Sequence, residues 1–246
     1  MRTLLVRFGV VGRPNKWLKR TPPSVTPPAR REAQASRHPV ATPLSHTVRR
    51  MRVVMAVPRI VEESIGVLSE YGEIPISFEV RSIVEVRPAD RALQGFTLEE
   101  RGVGQPWTKD YDSHKGEGPR RWASRWDISN WGIISAFLDD GRVGGCTIAY
   151  NTAGLDMLEG RKDLAVLWDI RVRPEFRGQR IGSALVESAV AWARRRGCRQ
   201  VKVETQNVNV PACRFYAAQG FRLGAVSRSA YEDFPDEVQL IWYKQL

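Results

Sequence analysis

The feature that most constrains the fold is an apolar strand that passes through a glycine-containing turn into an amphipathic helix. The pattern of Leu164–Val172 predicts a strand, and the apolar face of Ser183–Arg196 predicts a helix. Between them, Arg177–Ser183 holds two glycines, which let backbone N–H groups point to one spot beside the positive end of the helix. The unit therefore predicts an anion site suited to a diphosphate. It matches neither GxxxxGK[ST] nor GxGxxG, which excludes the two common nucleotide-binding fingerprints.

The flanking patterns predict a mixed sheet covered by helices. The apolar spacing from Ile60 to Leu68 predicts a helix ended by Gly72, and alternation over Ile76–Val86 predicts a strand. Residues 101–130, rich in Gly, charge and Trp, are interpreted as a long loop with some helix. The other predicted elements are a short strand Phe96–Glu100, a hairpin of Ile133–Leu138 with Val143–Tyr150, a strand Val201–Glu204, a helix Pro211–Gln219 and a strand Val238–Tyr243. This order predicts an α/β (α+β) fold.

Positive charge is concentrated in the first fifty residues. Residues 1–50 hold eleven Lys or Arg, one acid and seven prolines, whereas the rest of the chain holds 27 bases and 26 acids. This composition predicts a disordered basic leader at 1–50 and a folded domain at 51–246 without the basic face of a nucleic-acid-binding protein. We favour a translation start at Met51 over a flexible tail, and either over a targeting peptide.

The cysteines and the hydropathy favour a cytoplasmic protein without metal. Cys146, Cys198 and Cys213 lie far apart, with no CxxC pair and no Cys/His cluster at zinc spacing, so we expect reduced thiols. No apolar run approaches the roughly 18 residues that a membrane span needs.

Two sequence blocks resemble the GNAT superfamily of N-acetyltransferases. RGQRIGSAL resembles its signature [QR]xxGx[GA], with Arg177 first and Gly182 last, although Arg180 stands where the signature has a glycine. The second block resembles NxxAxxxYxxxGF, with Asn209, Ala212, Tyr216, Gly220 and Phe221 in register. Over residues 76–246 the chain is most similar to streptothricin acetyltransferases, especially in FRGQRIGSALVESAVAWARRRG, ETQNVNVPACRFYAAQGF and EVQLIWY.

The resemblance implies a GNAT fold with a mixed, mostly antiparallel sheet whose strands splay apart to admit acetyl-CoA as cosubstrate. It implies that the backbone of Ile170–Val172 binds the pantetheine arm. The cofactor-binding residues expected on this basis are Ile170, Arg171, Val172, Arg177, Gly178, Gln179, Arg180, Ile181, Gly182, Ser183, Asn209, Ala212 and Phe215.

Acetyl transfer to an amine needs a proton acceptor, because a primary amine with a pKa of about 10.4 is mostly charged at neutral pH. Asp169 and Glu204 are the candidate carboxylates, and each is interpreted equally well as orienting a cationic substrate. Asp169 also fits a salt-bridged edge residue, and Glu204 a turn cap. The resemblance implies that Tyr216 protonates the CoA thiolate. Cys213 need not face the thioester, so we expect direct transfer in a ternary complex.

The expected acceptor is a small cationic molecule with a primary amine, by resemblance a streptothricin. Loop acids at Asp110, Asp112, Asp156 and Glu232 are candidates to line its site, and the tryptophans of 101–130 are candidates for an aromatic wall. The alternatives are acetylation of a protein N-terminus or lysine, and an inactive CoA-binding sensor. A homodimer is compatible with the sequence, and neither a nucleic-acid nor a membrane partner is expected.

Overall fold

A computed structural model describes residues 57–88, 95–113 and 117–246, so the predicted leader at 1–50 lies outside the described residues. The strands are β1 (Arg59–Glu63), β2 (Phe78–Pro88), β3 (Phe96–Lys109), β4 (Gly132–Leu138), β5 (Gly141–Tyr150), β6 (Leu164–Val172), β7 (Gln200–Gln206), β8 (Arg222–Ser227) and β9 (Gln239–Gln245). The α-helices are α1 (Leu68–Tyr71), α2 (Pro119–Trp122), α3 (Ile181–Arg195) and α4 (Val210–Ala218). No helix in these ranges is long and apolar enough to cross a membrane, and the cytoplasmic location stays a prediction.

Seven strands form one sheet in the order β1-β4-β5-β6-β7-β9-β8. Every neighbouring pair is antiparallel except β6 and β7, which run parallel. A parallel pair needs a crossover connection, and α3 supplies it. The predicted mixed, mostly antiparallel sheet is confirmed.

Helix α3 packs closely against one face of this sheet. Its buried residues Leu185, Ala189 and Ala193 recur every four positions and join the apolar cluster over the sheet. Trp192 is fully buried beside Gly132, where an added β-carbon would lie 2.5 Å from the indole ring. Glycine at position 132 therefore lets the helix seat its largest side chain against β4.

A tryptophan cluster covers the opposite face. Its ring centroids lie 5.1–6.4 Å apart, and its members are Trp122, Trp126, Trp131 and Trp168. Tyr71 of α1 packs beside this cluster and over Gly145, whose added β-carbon would lie 2.9 Å from the tyrosine ring. The cluster shows that Trp122 and Trp126 of the predicted loop belong largely to the core.

The predicted helix from Ile60 to Leu68 is wrong in its first half. Arg59–Glu63 is a strand that pairs antiparallel with β4, and the only α-helical part is Leu68–Tyr71, which ends at Gly72 as expected. Five apolar residues in this segment fit either period, and the open edge of β4 decides the outcome because pairing with it satisfies the backbone.

Two further predictions were wrong: one strand is longer than predicted, and another was not predicted. Part of the predicted loop at 101–130 is strand, because β3 runs on to Lys109 against β2. Strand β8 was not predicted at all, and Gly224 in its centre hides the alternation. At Gly224 an added β-carbon would lie 2.5 Å from the Tyr243 ring, so the absence of a side chain lets that ring lie across the strand.

Strands β2 and β3 form a separate two-stranded sheet that docks at the end of β7 through Asn207. The Asn207 side chain donates to the carbonyl of Val84 at 3.1 Å and accepts from the N–H of Val238 at 2.8 Å. Val84 in turn donates its N–H to the carbonyl of Asn207 at 2.8 Å. One buried amide thus ties the second sheet to both β7 and the start of β9.

Candidate active site

Strands β6 and β7 pair only at their beginnings and then separate. Their parallel ladder covers Leu164–Val166 against Gln200–Lys202. Beyond it, the β7-facing edge of Leu167–Val172 has no strand partner within the described ranges. A cavity of about 850 Å³ opens at this divergence, and β6, the turn before α3, β7, α4 and the loop between β8 and β9 all contribute to its walls.

The turn before α3 has the backbone shape of a glycine-rich loop, although one of its key residues is arginine. Gly178 has φ 78°, and Arg180 has φ 65° and ψ 4°, both in the left-handed region that favours glycine. Gly182 brings α3 close to α4, because a β-carbon there would lie 3.2 Å from the Phe215 ring. The substitution of arginine for the signature glycine therefore leaves the turn geometry intact.

All but one of the predicted cofactor-binding residues line the cavity. The exception is Gln179, whose side chain donates to the carbonyl of Glu175 at 3.2 Å. The Arg177 guanidinium donates to the carbonyl of Val172 at 3.0 Å and to that of Ser77 at 3.1 Å. Arg177 thus ties the turn to the end of β6, whereas the exposed Arg180 side chain keeps its guanidinium available.

Asp169 is held in a buried ion cluster. Both of its oxygens accept from the Arg171 guanidinium, at 2.9 Å in the shorter contacts, and Tyr71 donates its hydroxyl to one of them. Arg171, with a side chain only 1% exposed, also binds Asp112 at 2.5 Å and the carbonyl of Ile74 at 3.2 Å. This matches the salt-bridged interpretation of Asp169, because its lone pairs are already engaged by a permanent cation.

A β-bulge aims this part of β6. Thr147 of β5 pairs with Asp169, but the next residue, Ile148, pairs with Leu167. Trp168 is therefore the extra residue, and it lines the cavity. A bulge re-aims the side chains around it and increases the local twist, which turns β6 away from β7.

Glu204 has the environment of a proton acceptor. Burial raises the pKa of its carboxyl above the usual glutamate value, although hydrogen bonds from neighbours oppose the shift. Tyr231 donates to one oxygen at 2.6 Å, and the Gln239 amide donates to the other at 2.7 Å. A carboxylate with a raised pKa is a stronger base than a free one.

Tyr216 lies on α4 with its ring buried and its hydroxyl facing the cavity wall. The ring packs between Phe215 and Phe221 at centroid distances of 5.3 and 5.5 Å. Within the described ranges its hydroxyl has no hydrogen-bonding partner, and burial raises its pKa, so the phenol stays protonated. Asn209, predicted to bind cofactor, also caps α4 by accepting from the N–H of Ala212 at 3.1 Å.

Carboxylates are numerous in the cavity wall. Asp112 and Glu232 line it as predicted, whereas Asp110 and Asp156 do not. Among the described residues, the cavity carboxylates are Asp112, Glu117, Asp169, Glu204, Glu232, Asp233 and Glu237, and the cations outside the turn before α3 are Lys109 and Arg171. Lys109 pairs with Glu237 at 2.5 Å and lies 4.0 Å above the Phe234 ring, so both cations are already compensated.

Several of these residues were missed from the sequence. Tyr71 and Tyr231 reach the site from distant or irregular segments that carry no periodic signal, and the ion pairs of the Arg171 side chain were not predicted. The sequence signal closest to Tyr231 is Glu232, the next residue, which is one of the loop acids predicted to line the acceptor site. Trp107, considered for an aromatic wall, is 42% exposed and lies outside the cavity, whereas Trp122 and Trp168 do line it.

Comparison with known proteins agrees with this geometry. Residues 100–221 match the Acetyltransferase (GNAT) family. A streptothricin acetyltransferase from Escherichia coli is 33% identical over 169 residues, which cover 68% of this chain and 84% of that protein. The crystal structure of a nourseothricin acetyltransferase has a TM-score of 0.60 at 26% identity, covering 76% of this chain and 98% of that one.

A second solved structure, from Bacillus anthracis str. Ames in complex with acetyl coenzyme A, shares the fold with a TM-score of 0.60 at 24% identity. It covers 78% of this chain and 99% of its own. These relatives match this chain over most of its length, including the segment with the splayed strands, the left-handed turn before α3 and the tyrosine on α4. The chain belongs to the acetyltransferase (GNAT) family.

Proposed function

We propose that this N-acetyltransferase transfers an acetyl group from acetyl-CoA to a primary amine of a streptothricin-type antibiotic, by direct transfer in a ternary complex. The observation that carries the proposal is one cavity lined by two chemically different groups of residues. One group is the anion-binding turn before α3, and the other, the acceptor end, is the group of seven carboxylates with Glu204 among them.

The residues present suit acetyl-CoA, which when bound supplies the thioester carbonyl. The free edge of β6 offers the backbone of Ile170–Val172 to the amides of a pantetheine arm. The start of α3 offers unpaired N–H groups and partial positive charge to a diphosphate, and the Arg180 guanidinium adds a full charge. Positioning of this kind supplies much of the rate of a bimolecular transfer.

The proton balance assigns Glu204 and Tyr216 opposite roles. The Glu204 carboxylate accepts a proton from the acceptor ammonium, directly or through a water, and the free amine attacks the thioester carbonyl. As the C–N bond forms, the C–S bond breaks, and the Tyr216 hydroxyl donates its proton to the departing thiolate. The nitrogen then loses its second proton to water, from which the Tyr216 phenolate is reprotonated. Asp169 instead keeps Arg171 and Asp112 in place, because a buried permanent cation binds both of its oxygens, whereas neutral donors bind those of Glu204.

The acceptor end favours a cationic molecule. Among the described residues, Lys109 and Arg171 are compensated within the wall, so the remaining carboxylates there contribute net negative charge. The streptothricin and nourseothricin acetyltransferases named above make an antibiotic of that class the first acceptor to try. Homodimer formation stays a prediction.

The test is thiol release from acetyl-CoA with streptothricin and a panel of other primary amines, including a peptide N-terminus and lysine. We expect streptothricin-dependent turnover that falls at least about a hundredfold in Tyr216→Phe and in Glu204→Gln, the scale of general acid–base catalysis. Tyr150→Phe is the matched control, because Tyr150 donates to the carbonyl of Arg196 and lies outside the cavity.

Turnover with another amine, but not with streptothricin, would contradict the proposed acceptor and support the proposed acetyl transfer. Acetyl-CoA binding without turnover of any amine would contradict the proposed activity and favour the sensor alternative. Wild-type turnover in Tyr216→Phe would refute the general-acid assignment.

A further inference from the structure

Tyr231 occupies a position that the proposed chemistry does not yet use. It lies in the loop between β8 and β9, and its hydroxyl donates to Glu204 Oε1 at 2.6 Å. The Gln206 amide nitrogen donates to the same hydroxyl at 3.2 Å, so the phenol both gives and accepts a hydrogen bond. Burial, and then the charge of Glu204, raises the pKa of Tyr231, so the phenol remains a donor. All three residues line the cavity.

The contacts continue from Tyr231 to the helix that carries Tyr216. Tyr111 donates its hydroxyl to the carbonyl oxygen of the Gln206 amide, and the Asn209 amide makes a longer contact of 3.5 Å to that hydroxyl. Asn209 caps α4 through the N–H of Ala212. Buried hydrogen-bonded chains of this kind hold each member in one orientation, because an unpaired polar group there is costly. This series of hydrogen bonds therefore connects the Glu204 carboxylate to the start of α4.

We infer that Tyr231 is a positioning residue, whose hydroxyl fixes the orientation of the Glu204 carboxylate toward the acceptor amine. This inference rests on the proposed role of Glu204 as proton acceptor. Tyr231 holds Oε1 and Gln239 holds Oε2, so the carboxylate plane is defined from two directions. The loop of Tyr231 also contributes Glu232, Asp233 and Phe234 to the cavity wall, so it lines the acceptor end.

The hydrogen bond from Tyr231 also affects the pKa of Glu204. The groups that act on Glu204 are Tyr231 from the loop, Gln239 from β9 and Lys202 from its own strand, and each lowers the pKa that burial raises. Tyr111 is the other tyrosine near Glu204, and the loop carboxylates Glu232, Asp233 and Glu237 share the cavity. Tyr231→Phe removes one stabilising donor from the charged form, so the pKa of Glu204 rises further.

The first test measures that titration directly. We would label the full-length protein with ¹³C-glutamate, identify Glu204 by its absence in Glu204→Gln, and titrate the wild type, Tyr231→Phe and the control Tyr150→Phe by NMR. The expected result is a Glu204 midpoint at higher pH in Tyr231→Phe and an unchanged midpoint in Tyr150→Phe. An unmoved midpoint in Tyr231→Phe would overturn the inference, and this measurement requires no turnover.

The second test asks whether the hydroxyl acts through Glu204. With streptothricin as acceptor, Tyr231→Phe should lower kcat/KM about 10- to 100-fold, the scale of one hydrogen bond to a charged group, with the KM for acetyl-CoA unchanged. The acid limb of its pH profile should move to higher pH, which a smaller folded fraction cannot mimic. In the Glu204→Gln background the same substitution should have less than about a twofold effect.

The outcomes separate the two assignments. An equal loss from Tyr231→Phe in both backgrounds would overturn the positioning role while Glu204 stands as the base. Full activity and an unchanged acid limb in Glu204→Gln would refute the proposed base, and the inference with it, whatever the NMR midpoint shows.

Discussion

Substitutions at Arg180 test whether the backbone of the turn before α3 is strained. Its left-handed conformation, φ 65° and ψ 4°, costs a residue with a β-carbon roughly 1–2 kcal/mol relative to glycine. The side chain is exposed, so its removal takes away little packing. Glycine at this position would relieve the strain, but it gives the unfolded chain extra conformational entropy worth about 0.4–1 kcal/mol. The structure thus predicts a net stabilisation of about 0.5–1 kcal/mol.

The assay compares Arg180→Gly with Arg180→Ala, since both lose the guanidinium and only alanine keeps the β-carbon. We expect the melting temperature of Arg180→Gly to exceed that of Arg180→Ala by about 2–4 °C. Gly178→Ala is the reverse test, because φ is 78° and no atom lies within 4 Å of the added carbon. The conformational cost of roughly 1–2 kcal/mol, less the same entropy difference of about 0.4–1 kcal/mol, should leave a destabilisation of about 0.5–1 kcal/mol.

The same pair of variants separates backbone from charge in cosubstrate binding. Both should bind acetyl-CoA more weakly than the wild type and by the same factor, about tenfold or less at low salt and less at high salt. Equal stabilities of Arg180→Gly and Arg180→Ala would refute the strained turn. A weaker affinity in Arg180→Gly than in Arg180→Ala would show that glycine loosens the turn instead of matching it.

Three further predictions concern the core, the ion cluster and the titration of Glu204. Gly132→Ala should destabilise by about 1–3 kcal/mol in urea unfolding, because its methyl would overlap the Trp192 indole, whereas Gly141→Ala, 3.5 Å from the nearest carbonyl, should be nearly neutral. Arg171→Met should cost about 3–5 kcal/mol, because it leaves the buried Asp169 unpaired, and wild-type stability would contradict the cluster. The raised pKa of Glu204 stabilises the folded protein fully below the unfolded glutamate pKa of about 4.3, and this contribution is lost as the pH rises through the folded pKa. The unfolding free energy of Glu204→Gln should therefore fall less than that of the wild type as the pH rises above about 4.3.

Local signals were sufficient for the elements that carry most of the site. Gly141 marks the turn between β4 and β5, and Gly197 follows α3. Pro211 lies in the first turn of α4 and Gly220 follows the helix, and all of these elements form close to where they were predicted. These signals act within a few residues, since caps and turns satisfy nearby backbone groups whatever the rest of the chain does. The strand–turn–helix unit and the tyrosine on α4 were accessible for the same reason.

The sequence by itself thus determined the family motifs, the mixed sheet and the three catalytic candidates Tyr216, Asp169 and Glu204. Only the tertiary structure decided that Ile60–Glu63 completes the sheet as a strand, because an open strand edge outweighs an ambiguous local pattern. It also shows that Asp169 is bound by a buried cation, whereas Glu204 is bound by neutral donors. Tyr71 reaches Asp169 across 98 positions of the chain, and Tyr231 reaches Glu204 across 27, and hydrogen bonds at such separations leave no periodic trace in the sequence.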